Sequence, residues 1–248
     1  MPSRSRMQEA WNARAKADAV FYVESYHATD RDGFFARGEE RAAMFLDPVV
    51  SRTLGEPAGR HVLEIGCGLG RFSRALARRF GQVTAVDVSD EMVAQAKAAN
   101  AHWPNIRFHA TDGEKIPLPA QGADFVFSYE VFQHMPSHRV IQANLREVGR
   151  VLKPGGAAMI HLRTGGFRLR LLYRLADLVP TWAHAAIKRL RGKRALTSDA
   201  TWRGAPPLSW PQIERMAAAA GLRVAEFLPD PTHGPGTRVF ALMSPAIR

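Results

Sequence analysis

Residues 61–80 read HVLEIGCGLGRFSRALARRF: an apolar run of strand length, glycines at 66, 68 and 70, then a segment of helical periodicity. Glycines at that junction permit tight dihedrals and let a ligand lie against bare main chain, so the stretch predicts a strand, a ligand-cradling turn and a helix. Phe72, Ala75, Leu76 and Phe80 fall on one face of that helix. Two phosphate-binding turns are excluded. The dinucleotide fingerprint G-x-G-x-x-G needs its third glycine at position 71, where the chain has Arg71, and no Gly-Lys-Ser/Thr follows as a P-loop requires. Cys67, the single cysteine, sits inside the glycine cluster, where a small side chain fits. One cysteine rules out an intramolecular disulfide framework and agrees with a reducing compartment.

The same rhythm continues downstream. Runs rich in Val, Ile and Phe recur at 82–86, 106–110, 123–128, 157–162, 223–228 and 237–243, making seven expected strands with 61–65. Helix-period segments separate the early ones, and Ser89 is placed to cap a helix whose first turn carries Asp90 and Glu91. The expected fold class is therefore α/β: a Rossmann-like, doubly wound sheet. Residues 1–55 read as an N-terminal helical lid and 56–248 as the main domain. An insertion at about 165–207 carries two apolar helical stripes, Leu171, Leu172, Leu175 and Val179, then, beyond Pro180, Ala183, Ala186, Ile187 and Leu190.

The net charge is +11, which by itself suggests an acidic partner. Its distribution narrows that reading. Between Arg163 and Arg203 ten Lys/Arg face only Asp177 and Asp199, so this segment carries +8 and the rest of the chain +3. No apolar run approaches the roughly 18–20 residues a membrane span needs, and no signal-peptide core follows the N-terminus, so the expectation is a cytoplasmic protein without a transmembrane segment.

Asp87 lies 21 residues after Gly66 at the end of the second strand, where a carboxylate can take both hydroxyls of a ribose. Glu64 precedes the glycines, Asp112 sits in TDGEKIPL after the third strand, and ADFVFSYEVFQHM and LREVGRVLKPGGAAMIHL follow. In order and spacing these motifs resemble the class I S-adenosylmethionine-dependent methyltransferases of the small-molecule type, over roughly residues 60–163. The resemblance implies a seven-stranded sheet, parallel but for an antiparallel last strand, with S-adenosyl-L-methionine as cofactor and S-adenosyl-L-homocysteine as product. It places Glu64 and the EIGCGLG loop, Gly66 and Cys67 to Gly68 and Gly70, along the methionine portion, with Asp87 on the ribose. Val88 and Met92 are implied beside the adenine, Asp112 and Gly113 at its edge, and Ser128, Tyr129 and Glu130 at the methyl-transfer centre. LKPGG corresponds to a structural turn before the fifth strand.

A sulfonium methyl is already activated, so the protein mainly has to align an acceptor and exclude water. For a hydroxyl or protonated amine a general base helps. His134, after the fourth strand, is the catalytic candidate, with Glu130 orienting it if the turn between them is helical. His138 lies four residues on, but Pro136 intervenes, so no metal pair is expected. His161 and Arg163 end the fifth strand and are substrate-binding candidates, as are Tyr22 and Tyr26 in an aromatic lid. The basic insertion is read first as a cap over a small-molecule acceptor, anionic or aromatic, in secondary metabolism. An RNA surface and a membrane-surface helix serving a lipid-like acceptor stand behind it. A rival of another class is a cofactor-binding protein without methyl transfer, and the assembly expected is a homodimer.

Overall fold

The computed structural model describes residues 4–24, 30–176, 183, 204–233 and 238–246. Four helical segments come first: α1 (Arg4–Val23), α2 (Arg31–Arg41), a π-helical turn (Ala42–Leu46) and α3 (Asp47–Leu54). The sheet then builds as β1 (His61–Ile65), α4 (Arg71–Ala77), β2 (Gln82–Asp87), α5 (Asp90–Ala99), β3 (Ile106–Ala110) and β4 (Ala123–Ser128). It continues with α6 (His138–Val151), β5 (Leu152–Arg163), α7 (Phe167–Ala176), α8 (Trp210–Ala218), β6 (Leu222–Pro229) and β7 (Arg238–Pro245).

The seven strands run in the order β3-β2-β1-β4-β5-β7-β6. β1 to β5 pair in parallel, and β7 lies antiparallel to both β5 and β6. β4 is buried at every position because helices cover both of its faces, as a central parallel strand requires. The two cores lie on opposite sides of the sheet: Phe72, Phe80, Phe125 and Phe127 on one, Leu63, Val126, Leu145 and Ile160 on the other. Caps fix the helix starts. Ser89 accepts the Met92 N–H at 3.1 Å and Ser137 accepts the Val140 N–H at 3.3 Å.

Two expectations need correction. LKPGG is not a turn ahead of the fifth strand but part of β5. Leu152 pairs with Ala123 and Ala157 with Phe125, and a register shift absorbs the extra residues, with Gly155 at φ +76°. The first apolar stripe of the insertion is not packed away either. Leu171, Leu172 and Leu175 are 42%, 60% and 50% exposed, and Phe167 is 77% exposed. α7 is instead tied to the sheet through its polar side, where the Arg163 guanidinium donates to the Tyr173 hydroxyl. Of the second stripe only Ala183 falls within the described residues. Val179, Ala186, Ile187, Leu190 and most of the basic segment lie outside them. No helix among the described residues is long and apolar enough to cross a membrane.

Candidate functional site

The strand order reverses between β1 and β4, and the loops leaving the carboxyl ends of β1, β2 and β4 open a crevice there, where ligands of such sheets bind. A cavity of about 560 Å³ fills it. Its floor is the glycine loop. The N–H groups of Gly66 and Cys67 both donate to the Val86 carbonyl, at 2.7 and 3.0 Å, folding the loop back over β2. Gly66 has φ +79°, and a Cβ there would run into Val131, so only glycine leaves the main chain bare.

Asp87 closes one end. One carboxylate oxygen accepts the Gly68 N–H at 2.9 Å and the other the Ser89 N–H at 2.9 Å. Burial pushes its carboxyl up, and those backbone donors pull against it. Val88, Met92 and Gly113 continue the wall beside it. α1 reaches the same wall with Met7 and Trp11, and Asn12 accepts the Ser89 hydroxyl at 2.6 Å, tying the N-terminal helix to the cofactor side.

Several residues expected in the site do not reach the cavity wall. Glu64 is buried beneath it and takes the Ser73 hydroxyl; burial, eased by that bond, raises its carboxyl to about 8. Cys67 is buried, its thiol pushed up by desolvation and by Asp87. Gly70 supplies the left-handed residue before α4, its missing Cβ facing Asn100 and Phe108. The Ser128 hydroxyl donates to the Ile65 carbonyl at 2.9 Å, stapling β4 to β1. One oxygen of Asp112 shapes its own turn, accepting the Glu114 and Lys115 N–H groups at 2.9 and 2.8 Å, while Gly113 forms wall. Tyr22 lines the cavity, and Tyr26 lies outside the described residues.

The acceptor side departs further from expectation. Glu130 does not sit on a helical turn with His134. It adopts φ +59°, and Phe132–His134 is a short 3-10 turn, so the carboxylate swings to Arg238 and to His233, 3.4 Å from its Nε2. His134 lines the cavity edge-on to Trp11, with ring centroids 5.4 Å apart. His161 lies behind the wall, its Nδ1 accepting the Glu130 N–H at 3.2 Å. Arg163 is also outside the wall, donating to the Gln133 carbonyl at 2.7 Å.

Burial, with Arg163 adding to it, holds His134 down at about 4 against 6.5 for a free imidazole. An unfolded chain therefore takes that proton first, and stability present above pH 6.5 is lost as pH falls toward 4. Replacing His134 by Asn should flatten this stretch of the Tm-versus-pH curve. An unaltered slope in the variant would contradict the burial of a neutral ring.

Two groups of residues had no place in the sequence reading. Glu24 is buried against Arg71 and lies 2.8 Å from Arg41, beside the cavity. Its signal was faint, a lone acid among aromatics in FYVESY. The second group gathers on the β6–β7 connection, where DPTH spaces a carboxylate and an imidazole three residues apart. Asp230 accepts Thr232 N–H at 2.8 Å, His161 Nε2 lies 3.0 Å from it and His233 Nδ1 2.6 Å. His161, Asp230 and His233 stand close enough together, within 4.8 Å, to suggest a metal, which the sequence did not. Their partners oppose it. Ligation through His161 Nε2 would put a proton on Nδ1, facing the Glu130 N–H, and ligation through His233 Nδ1 would turn an Nε2 proton toward Arg238.

Residues 62–156 match the family described as "Methyltransferase domain". The ubiquinone biosynthesis O-methyltransferase of Coxiella burnetii is 35% identical over 130 residues, 51% of this chain and 54% of that protein. The 2-methyl-6-phytyl-1,4-hydroquinone methyltransferase of Synechocystis is 34% identical over 105 residues, 42% of this chain and 32% of that one. This chain thus spans about half the length, or less, of these curated relatives. Among solved structures, magnesium protoporphyrin IX methyltransferase from Synechocystis with bound S-adenosylhomocysteine superposes with a TM-score of 0.61, at 16% identity over 97% of this chain and 98% of that one. At that identity the likeness speaks to the fold.

Proposed function

We propose, from the match of residues 62–156 to a methyltransferase domain, that this chain is a class I S-adenosylmethionine-dependent methyltransferase that moves a methyl group onto a hydroxyl of a small aromatic acceptor. One observation carries the reading: a single cavity is lined both by the glycine loop, Asp87 and the α1 residues beside it and, further along, by Tyr22 and Tyr129 with Arg41 and Arg238. The first end suits a nucleoside, through a carboxylate for ribose hydroxyls, bare main chain at Gly66 and Gly68 for the methionine portion, and apolar Val88 and Met92 for the adenine. The second end suits a flat ring bearing oxygen or negative charge. Two relatives whose names place them in quinone or hydroquinone chemistry support a ring acceptor.

Bound S-adenosylmethionine supplies an electrophilic methyl on sulfonium. This chain's part is positioning: Trp11 and Tyr22 wall off water, and the acceptor oxygen is held in line at about 3–3.5 Å from the methyl carbon. S-adenosylhomocysteine should bind in calorimetry, and radiolabel from methyl-labelled cofactor should pass to members of a panel of phenols. Firm binding of S-adenosylhomocysteine with no label transferred to any of them would sink methyl transfer and favour a cofactor-binding role.

The exposed Phe167, Leu171, Leu172 and Leu175 of α7, with Arg168 and Arg170 among them, favour one second reading, an acceptor that carries an apolar tail. Paired phenols with and without a polyprenyl tail, assayed with anionic vesicles, separate it from the small-ring reading by a lower KM for the tailed member.

A further inference from the structure

We propose that His233, oriented by Asp230, is the base that takes the acceptor's proton; this rests on the methyl-transfer reading above. His233 lines the cavity and is part-exposed, and its two ring nitrogens face different company. Nδ1 lies 2.6 Å from an Asp230 oxygen. Nε2 lies 2.6 Å from the Arg238 guanidinium, which can only donate, so the ring is neutral there with its proton on Nδ1 and a lone pair on Nε2. The tautomer a base needs is thus assigned by its neighbours.

Asp230 is built to hold that role. Besides the His233 N–H it faces His161 Nε2 at 3.0 Å, Thr232 N–H and hydroxyl at 2.8 Å, and the Tyr129 hydroxyl at 3.3 Å. Burial works against its charge and is outweighed by the bonds from His161 and Thr232, leaving the carboxyl below the ordinary range. His161 cannot rotate away, because the Glu130 N–H holds its Nδ1. The imidazolium that forms on His233 would lie between Asp230 and Glu130, 2.6 and 3.4 Å away, two carboxylates that favour it. Arg238 opposes it, but is itself paired with Glu130. His134 is placed differently: it packs on Trp11, lies 3.3 Å from the Gln133 amide nitrogen, and burial, with Arg163, disfavours a charged ring there.

In the step, the acceptor hydroxyl replaces Arg238 at Nε2. The O–CH3 bond forms as the S–CH3 bond breaks with its electron pair going to sulfur, and the hydroxyl proton passes to Nε2. Arg238, still on Glu130, is left facing the oxygen and steadies its developing charge. The base is handed back when His233 loses that proton to water.

The test uses 4-nitrocatechol, whose ionised ring absorbs visible light, and a readout without turnover. With S-adenosylhomocysteine bound, the wild-type protein should ionise the bound catechol at a pH where the free compound keeps its proton, and His233→Ala should not. With methyl donor present, His233→Ala should lower kcat by about 10²- to 10⁴-fold, with added imidazole restoring part of it. Asp230→Asn, a change to a positioning residue, should lower kcat while leaving KM for 4-nitrocatechol in place. Calorimetry with S-adenosylhomocysteine checks that each variant is folded. Ionisation and turnover by His233→Ala matching the wild type would overturn the dyad and leave the methyltransferase reading standing. Failure of the wild-type protein to bind 4-nitrocatechol would overturn the phenolic base assignment, and failure to bind S-adenosylhomocysteine would overturn the function itself.

Discussion

Asp87→Ala should lower affinity for S-adenosylhomocysteine by about 10²- to 10⁴-fold, the span expected when two hydrogen bonds to a charged acceptor, worth about 3–6 kcal/mol together, are lost. The carboxylate is costly to keep where it is. It is part-buried in the cavity wall, where desolvation raises its carboxyl, and the Gly68 and Ser89 N–H groups pull against that. A protein that keeps a charge under those conditions has a ligand for it to meet. Asp87→Asn keeps the side-chain volume and one of the two backbone acceptors while removing the charge, and should give a smaller loss than alanine. Titration calorimetry on protein whose melting temperature is within a few degrees of wild type decides the matter. An affinity unchanged in Asp87→Ala would remove the nucleoside from this end of the cavity.

The second large effect is on stability. Glu24→Ala should cost about 3–5 kcal/mol, the range for breaking one partner out of a buried ion pair. Arg71 is 4% exposed, and burial lowers its guanidinium only to about 10, so it stays charged at neutral pH. Without Glu24 that charge, with Arg41 close by, would lose the carboxylate in direct contact with it and keep only the more distant Glu130. Urea unfolding gives the number directly. The double variant Glu24→Met with Arg71→Met should recover part of the loss, because the buried Arg71 charge is removed with its partner while the more exposed Arg41 still loses its own. A loss below about 1 kcal/mol in Glu24→Ala would mean that the pair is solvated and contributes like a surface bridge.

Arg71 also shows how far sequence reasoning reaches. Its presence at position 71 is enough to discard a dinucleotide fingerprint. That it is buried, and that residue 24, just past the end of α1, answers its charge, is a long-range fact with no local signature. The strands were legible because apolar runs of 5–6 residues between helix periods have one stable outcome. β1, β3 and β4 fall on the expected residues, as does the Ser89 cap. β5 begins earlier than expected because pairing with β4 carries Leu152 into the sheet across a Pro-Gly-Gly stretch that locally favours a turn.

The site divides in the same way. Gly66, Gly68, Asp87, Val88 and Met92 were locatable because one strand–turn–helix unit and the strand beside it place them, and local periodicity encodes such units. Asp112 shows a local use that the sequence reading did not include: one oxygen of an aspartate two residues ahead of free N–H groups caps them.

What the sequence alone determined is therefore the α/β class, the seven strands and the half of the crevice lined by the glycine loop and Asp87, all set by periodicity and by glycines whose backbone angles few other residues tolerate. Tertiary structure alone decided the other half. Glu130 on the β4 loop, His161 on β5, Asp230 and His233 on the β6–β7 connection and Arg238 on β7 meet only because β7 runs antiparallel beside β5. Strand direction and neighbour order bring residues about a hundred positions apart into hydrogen-bond range, and no local pattern in the chain records that distance.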